Sequence, residues 1–173
     1  MLETQDLILR KAVFHDWQSM YENVWIHRET ARFMLWEVTD SPENAKLRIE
    51  RTIAFQKKNP ISYLVCEKTS GQAIGFAGMI EIEPGVFEDC GVALGPKYVG
   101  KGYGKQILSA LMQTAAGSFG ASKLICSCRS ENEVSRRLQL SCGFTFSHTE
   151  NRIDPRNDIP YVLEFYEWIP LSK

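Results

Sequence analysis

Glu88-Asp89-Cys90-Gly91-Val92-Ala93-Leu94 leads, through Gly95 to Val99, into Gly100-Lys101-Gly102-Tyr103-Gly104-Lys105, and that loop opens directly onto Gln106-Ile107-Leu108-Ser109-Ala110-Leu111-Met112. The order is a strand-like run, a glycine-rich loop and a helical pattern. Glycines at alternate positions leave the backbone N–H groups unshielded. Beside the positive end of a helix dipole, such a cradle binds phosphate or pyrophosphate. Lys101 and Lys105 add mobile positive charge. The plain alternative is a turn that only links strand to helix.

The details of the loop narrow the ligand. Gly95-Pro96-Lys97-Tyr98-Val99-Gly100-Lys101 follows the P-loop pattern G-x-x-x-x-G-K, but Gly102 stands where the Mg²⁺-holding Ser or Thr belongs. A dinucleotide fingerprint needs G-x-G-x-x-G early in a βαβ unit, and Lys105 breaks it after Gly100-x-Gly102.

Working outward, Gln5–Ala12 reads as a first strand, and Asp16 as the N-cap of a helix to Trp25. His27–Phe33 suits a short second helix. Ser41-Pro42-Glu43 opens a helix through Lys57 that Asn59-Pro60 stops. Ile61–Lys68, Ala73–Glu83 and Phe87–Leu94 are strands joined by Thr69-Ser70-Gly71 and Pro84-Gly85, and such short turns predict antiparallel neighbours. The helix after the loop runs to Phe119 and stops at Gly120. Strand Lys123–Cys128, helix Glu131–Ser141, strand Phe144–Glu150, polar loop Arg152–Asp158 and strand Tyr161–Trp168 complete the chain. This order predicts a single α/β (α+β) domain over 1–173, a mixed, mostly antiparallel central sheet flanked by helices.

Composition agrees with one globular domain. The 173 residues are 44% hydrophobic and 24% charged, with a net charge of −1 that argues against a nucleic-acid partner. No apolar run is long enough for a membrane span. Five cysteines, an odd number without metal-like pairing, read as buried thiols in a cytoplasmic protein. His15, His27 and His148 are scattered, so no metal is expected.

Tyr98-Val99-Gly100-Lys101-Gly102-Tyr103-Gly104 resembles the acyl-CoA signature of the GNAT N-acetyltransferases: Gln or Arg, two residues, Gly, one residue, then Gly or Ala. Gly102 and Gly104 stand at its small positions. Val99 stands where Gln or Arg is commonest, a departure shared by the branch of ribosomal-protein N-terminal acetyltransferases. Asn132-Glu133-Val134-Ser135, followed by Cys142-Gly143-Phe144, looks like the N-x-x-S…G-F segment of that branch. Leu7-Ile8-Leu9-Arg10 and Arg32-Phe33-Met34-Leu35-Trp36 are also similar. The resemblance implies that strands Glu88–Leu94 and Lys123–Cys128 run parallel and splay apart, with acetyl-CoA entering the gap.

It also implies roles. The amides of Gly100, Lys101, Gly102, Tyr103, Gly104 and Lys105, with Val99, would take the pyrophosphate. The backbone of Val92, Ala93 and Leu94 would pair with the pantetheine arm, and Asn132 would contact its amides while also suiting a helix N-cap. Ser135 would serve the departing thiolate, because Gln139 stands where many relatives have a Tyr; a small residue chosen for helix packing is the other possibility. Among Glu81, Glu83, Glu88 and Asp89, Glu88 is the expected base. It lies in phase with Cys90, Val92 and Leu94, and the pleat lets only one of Glu88 and Asp89 face an amine. A solvated strand-end carboxylate, with a water chain as the base, stays open. Trp25, His27, Arg28, Arg32, Phe33 and Trp36, with Tyr161 and the polar loop Arg152–Asp158 opposite, would shape the acceptor site.

The expected activity is acetyl transfer to a primary amine, a protein N-terminus or a small amine, directly within a ternary complex. No Cys–His pair supports an acyl-enzyme. The competing function is a non-catalytic CoA-binding sensor or interaction module. A homodimer is common in the family, but no interface pattern marks one here. The acceptor, the acyl length and the oligomeric state are not written in these residues.

Overall fold

A computed structural model describes residues 1–170; residues 171–173, inside the expected 1–173 domain, lie outside the described residues. Eight strands form one sheet: β1 Leu2–Glu3, β2 Leu7–Arg10, β3 Ser62–Glu67, β4 Ala73–Glu83, β5 Val86–Leu94, β6 Lys123–Arg129, β7 Thr145–Ile153 and β8 Pro160–Trp168. Their spatial order is β1-β2-β3-β4-β5-β6-β8-β7, and every pair but β5–β6 is antiparallel. The helices are α1 Asp16–Met20, continued by a π-helical turn Tyr21–Trp25, α2 Arg28–Ala31, α3 Pro42–Lys58, α4 Tyr103–Ser118 and α5 Glu133–Ser141.

Local chemistry sets most boundaries. Ser41 accepts from the Asn44 amide at 3.2 Å and Pro42 follows it, which fixes the start of α3. Gly120 takes φ +66° just past the end of α4. Asp16, expected as an N-cap, sits inside the first turn instead. Its carboxylate accepts from Arg10 at 2.6 and 2.7 Å and from the Val13 amide at 2.8 Å, so it braces the turn before the helix.

Two cores cover the two faces. On one, Ile107, Leu108, Leu111 and Ala115 of α4, at helical spacing, bury against Met79, Phe87, Leu124 and Cys126. On the other, Ala45 and Ile49 of α3 pack with Met20, Trp25 and Leu64. Full burial of one such large side chain stabilises by about 1.5–3 kcal/mol.

The decisive feature is local. β5 and β6 pair only at Val86–Lys123, Phe87–Leu124 and Glu88–Ile125, and part beyond. On its other edge β5 carries a bulge: Met79 of β4 opposes Asp89 while Ala77 opposes Val92. Two β4 residues of one face are thus matched by β5 residues three apart, so the pleat changes phase between them. Gly91, at φ +108°, provides the backbone conformation.

Candidate active site

Where β5 and β6 part, a cavity of ≈ 640 Å³ opens, and much of its wall is apolar, from Phe33 to Trp36 and including Phe76, Leu108 and Leu163. Two strand edges form its seam, the α4 loop one end and Tyr161 the other.

The loop is built as a cradle. Gly102 adopts φ +79° as the residue before α4, and a Cβ on Gly100 or Gly102 would meet nothing within 4 Å. Among the described residues, none of the amides from Gly100 to Lys105 donates to a protein oxygen. Six consecutive N–H groups at a helix N-terminus are therefore left without a protein acceptor among the described residues, and unpaired amides at such a terminus suit a pyrophosphate. Tyr103 donates its hydroxyl to Glu67 at 2.9 Å, and the Lys101 ammonium lies 3.7 Å from the same carboxylate, which ties the loop to the end of β3. Gly104 packs on α5, where its absent side chain leaves room for Leu138.

Most expected cofactor contacts converge here. Val92, Leu94, Val99, Gly100, Gly102, Tyr103, Gly104, Lys105 and Asn132 all line the cavity. Ala93 and Lys101 do not: the Ala93 side chain is buried, and Lys101 turns toward Glu67, Tyr98 and Tyr103. Asn132 keeps both expected roles open, because its side-chain oxygen accepts from the Ser135 amide at 3.2 Å while the residue sits in the wall. Ser135 also lines the cavity. Its Oγ accepts from Gln139 Nε2 at 3.1 Å, which leaves the hydroxyl proton free to point elsewhere. Gln139 is buried, and its Oε1 has no partner among the described residues.

The expected placement of Glu88 needs correction. Glu88 is not in the cavity wall; Asp89 is. The alternation that put Glu88 in phase with Val92 and Leu94 holds only without a bulge, and the bulge gives that face to Asp89. Asp89 Oδ1 accepts from the Ser127 amide of β6 at 2.9 Å. Burial, reinforced by neighbouring Glu88, pushes the Asp89 carboxyl up to about 7 against the opposing amide hydrogen bonds from Ser127 and Gly91. An isolated Gly inside a strand pattern is the sequence signal that could have announced this.

Of the expected acceptor residues, Phe33, Trp36 and Tyr161 reach the wall, whereas Trp25, His27, Arg28 and Arg32 do not. Trp25 belongs to the second core. Arg48, unforeseen, lies 4.8 Å over the Trp25 ring and 4.2 Å over the Trp36 ring, and burial lowers it to about 10. Burial also pushes the Cys90 and Cys128 thiols up to about 11 and Cys126 well above its ordinary value, so these wall cysteines are poor nucleophiles at neutral pH. Asp154 and Arg156 of the expected polar loop cluster beside Tyr161 with Arg129, which was unforeseen.

A sheet that parts beside a glycine-rich loop at a helix N-terminus, with a carboxyl at the seam, is the setting in which the family of this chain can be named. The Acetyltransferase (GNAT) domain model matches residues 6–145, and the chain belongs to that family of N-acetyltransferases. The N-acetyltransferase YoaA of Bacillus subtilis (strain 168), itself uncharacterized, is 24% identical over 168 residues, 96% of this chain and 94% of the relative. Among solved structures, RimL, a ribosomal alpha-N-protein acetyltransferase in complex with coenzyme A, superposes with a TM-score of 0.81 at 20% identity, over 96% of this chain and 95% of that one. A spermidine N-acetyltransferase from Vibrio cholerae, in complex with CoA and spermine, gives 0.77 at 16% identity over 96% of both chains. The shared fold serves a protein amine in one and a polyamine in the other, so fold alone does not select the acceptor.

Proposed function

We propose that this chain transfers the acetyl group of acetyl-CoA to a primary amine, on a protein N-terminus or a small molecule, by direct attack within a ternary complex. The observation that carries this is the meeting, at one cavity, of the Gly100–Lys105 loop, whose amides have no protein partner among the described residues, and the Asp89 carboxyl. Acetyl-CoA supplies a thioester carbonyl that an amine can attack.

The amides of Gly100 to Lys105 would hold the pyrophosphate, and the β5 edge from Val92 to Leu94, free of β6, would pair with the pantetheine amides beside Asn132. Asp89 takes a proton from the incoming amine, since a carboxyl near 7 is matched to neutral pH. Ser135 holds a proton at Oγ that it can donate within the cavity, with its acceptor side engaged by Gln139. High wall thiol pKa values support direct transfer over an acyl-cysteine. The five free thiols also suit a reducing compartment, and we place the reaction in the cytoplasm.

The test is calorimetric titration with acetyl-CoA, beside ATP with Mg²⁺, followed by thiol release on an amine panel. Saturable acetyl-CoA binding and turnover of any amine sustain the proposal. Binding with no turnover leaves a CoA-binding module, and no binding by folded protein removes both.

A further inference from the structure

Three charged side chains line the cavity: Asp89, Lys105 and Arg129. Lys105 belongs to the loop end. Arg129, the last residue of β6, lies opposite Leu163 of β8 and stacks on Tyr161, its guanidinium carbon 3.9 Å from the ring centroid. Its Nη2 donates to Asp154 Oδ2 at 2.6 Å. That pair does not neutralise it, because Asp154 is already committed. Arg156 grips the same carboxylate through Nε at 2.9 Å, Nη2 at 2.6 Å and its backbone amide at 3.0 Å.

Two guanidinium groups therefore share one carboxylate, and Glu37 acts on Arg156 only through space, with no ion pair between them among the described residues, so the excess of positive charge is partial. Arg156 spends its remaining Nη1 on the carbonyls of Ala31 and Trp36, both at 3.3 Å. What Arg129 offers the cavity is its Nε and Nη1, which have no acceptor among the described residues. Tyr161 and Asp154 fix the guanidinium plane, so those donors are preorganised. The one carboxyl in the wall, Asp89, is held near 7, and no second acid is present there to bind a polycation.

We infer that the cavity wall at Arg129 and Tyr161 is an anion subsite, and that the acceptor is an amine carrying a carboxylate a few bonds from its nitrogen. This rests on the acetyltransfer reading for the amine and on the Arg129 geometry alone for the anion. Two sources offer that chemistry, a free amino acid and a protein N-terminus with an acidic first residue. A polyamine offers the opposite charge.

The experiment compares kcat/KM, per free-base amine, on matched pairs: β-alanine against β-alaninamide, and a peptide amide beginning with Asp against one beginning with Asn. Spermidine and phosphoethanolamine complete the panel. We expect at least one carboxylate member to exceed its neutral partner by about tenfold or more, with spermidine the poorest. The favoured pair names the source. In Arg129→Gln the ratio falls toward one while acetyl-CoA binding is retained, and Arg129→Lys restores part of it.

Equal rates across both pairs, a preference surviving in Arg129→Gln, or phosphoethanolamine outrunning every carboxylate would overturn the inference. Circular dichroism confirms that the variants fold. If neither Arg129 variant folds, Tyr161→Leu replaces them, with the same loss of preference expected. Calorimetry with succinate, which has no amine, separates the two ideas. If no amine turns over, acetyl transfer fails; succinate binding that weakens in the variant still upholds the anion subsite, and its absence overturns it.

Discussion

Asp89 Oδ1 and the Ser127 amide meet at 2.9 Å across the gap where β5 and β6 have just stopped pairing. The bond lies just beyond the last ladder pair, Glu88–Ile125, one residue on along β5 and two along β6, so a side chain replaces the backbone in joining the strands. It also aims the carboxyl along the seam into the cavity.

If Asp89 is the base, Asp89→Asn keeps the oxygen that accepts from Ser127 but cannot take a proton. The variant should lose about 10²- to 10⁴-fold in kcat and still bind acetyl-CoA. In the unaltered protein kcat/KM should rise through about pH 7 as Asp89 deprotonates, and that inflection should vanish in the variant. Glu88→Gln should keep both the rate, within a few-fold, and the inflection. A pH profile unchanged by Asp89→Asn would remove this carboxyl from the mechanism.

The same carboxyl should cost stability. Its folded value, about 7, stands above its ordinary 3.8, so the folded chain binds the proton more tightly than the unfolded chain. Stability from this group is therefore lost as pH rises from about 4 to about 7 and is flat above. The largest possible cost is roughly 4 kcal/mol, reduced because Asp89 is only half-buried at the cavity edge. Asp89→Asn should melt several degrees higher than the unaltered protein at pH 8, with a smaller gain at pH 5. Equal Tm shifts at both pH values would contradict the elevated value.

The loop makes its own demand. Gly102 holds φ +79° and a Cβ there meets nothing within 4 Å, so Gly102→Val imposes about 1–2 kcal/mol of left-handed strain and should shield the amides. Acetyl-CoA affinity should drop about tenfold or more while the fold, read by circular dichroism, persists. A variant that binds acetyl-CoA normally would show that the cradle does not hold the pyrophosphate.

Ser135 offers a finer test. Gln139 Nε2 occupies the acceptor side of its hydroxyl, which directs the proton away from Gln139. Ser135→Ala should lower kcat with little change in the KM for acetyl-CoA. The loss should be largest with thioesters whose thiol is a poor leaving group, where proton donation matters most. Equal losses in kcat and affinity would instead assign Ser135 to packing.

How much of this was legible follows from how local each cause is. Ser41-Pro42, Gly120 and the alternation of strands with turns act within a few residues, so the elements and the parallel β5–β6 pair stand where the sequence puts them. The Gly100–Lys105 cradle is equally local. The expected first strand, Gln5–Ala12, shortens to β2, a separate β1 precedes it, and the helix through Trp25 becomes π-helical at Tyr21. Arg129 and Asp154, twenty-five residues apart, are joined by the β6–β8–β7 arrangement and by no periodicity. Strict period-two alternation through Gly91 puts Glu88 on the face of Val92, whereas the bulge puts Asp89 there.

That glycine should be decisive. At φ +108° it adopts a backbone conformation that L side chains avoid, and a Cβ there would lie 3.3 Å from Phe76 Cε2. Gly91→Ala should destabilise by about 1–3 kcal/mol. If the strain is relieved by expelling the bulge, β5 slips by one residue, Asp89 turns to the opposite face and Glu88 takes its place on the cavity side. Activity should then fall with the Asp89 inflection, and adding Glu88→Gln should matter in the Gly91→Ala background though it does not in the unaltered protein. A Gly91→Ala enzyme with normal Tm, rate and pH profile would show that the phase change is held elsewhere in β5.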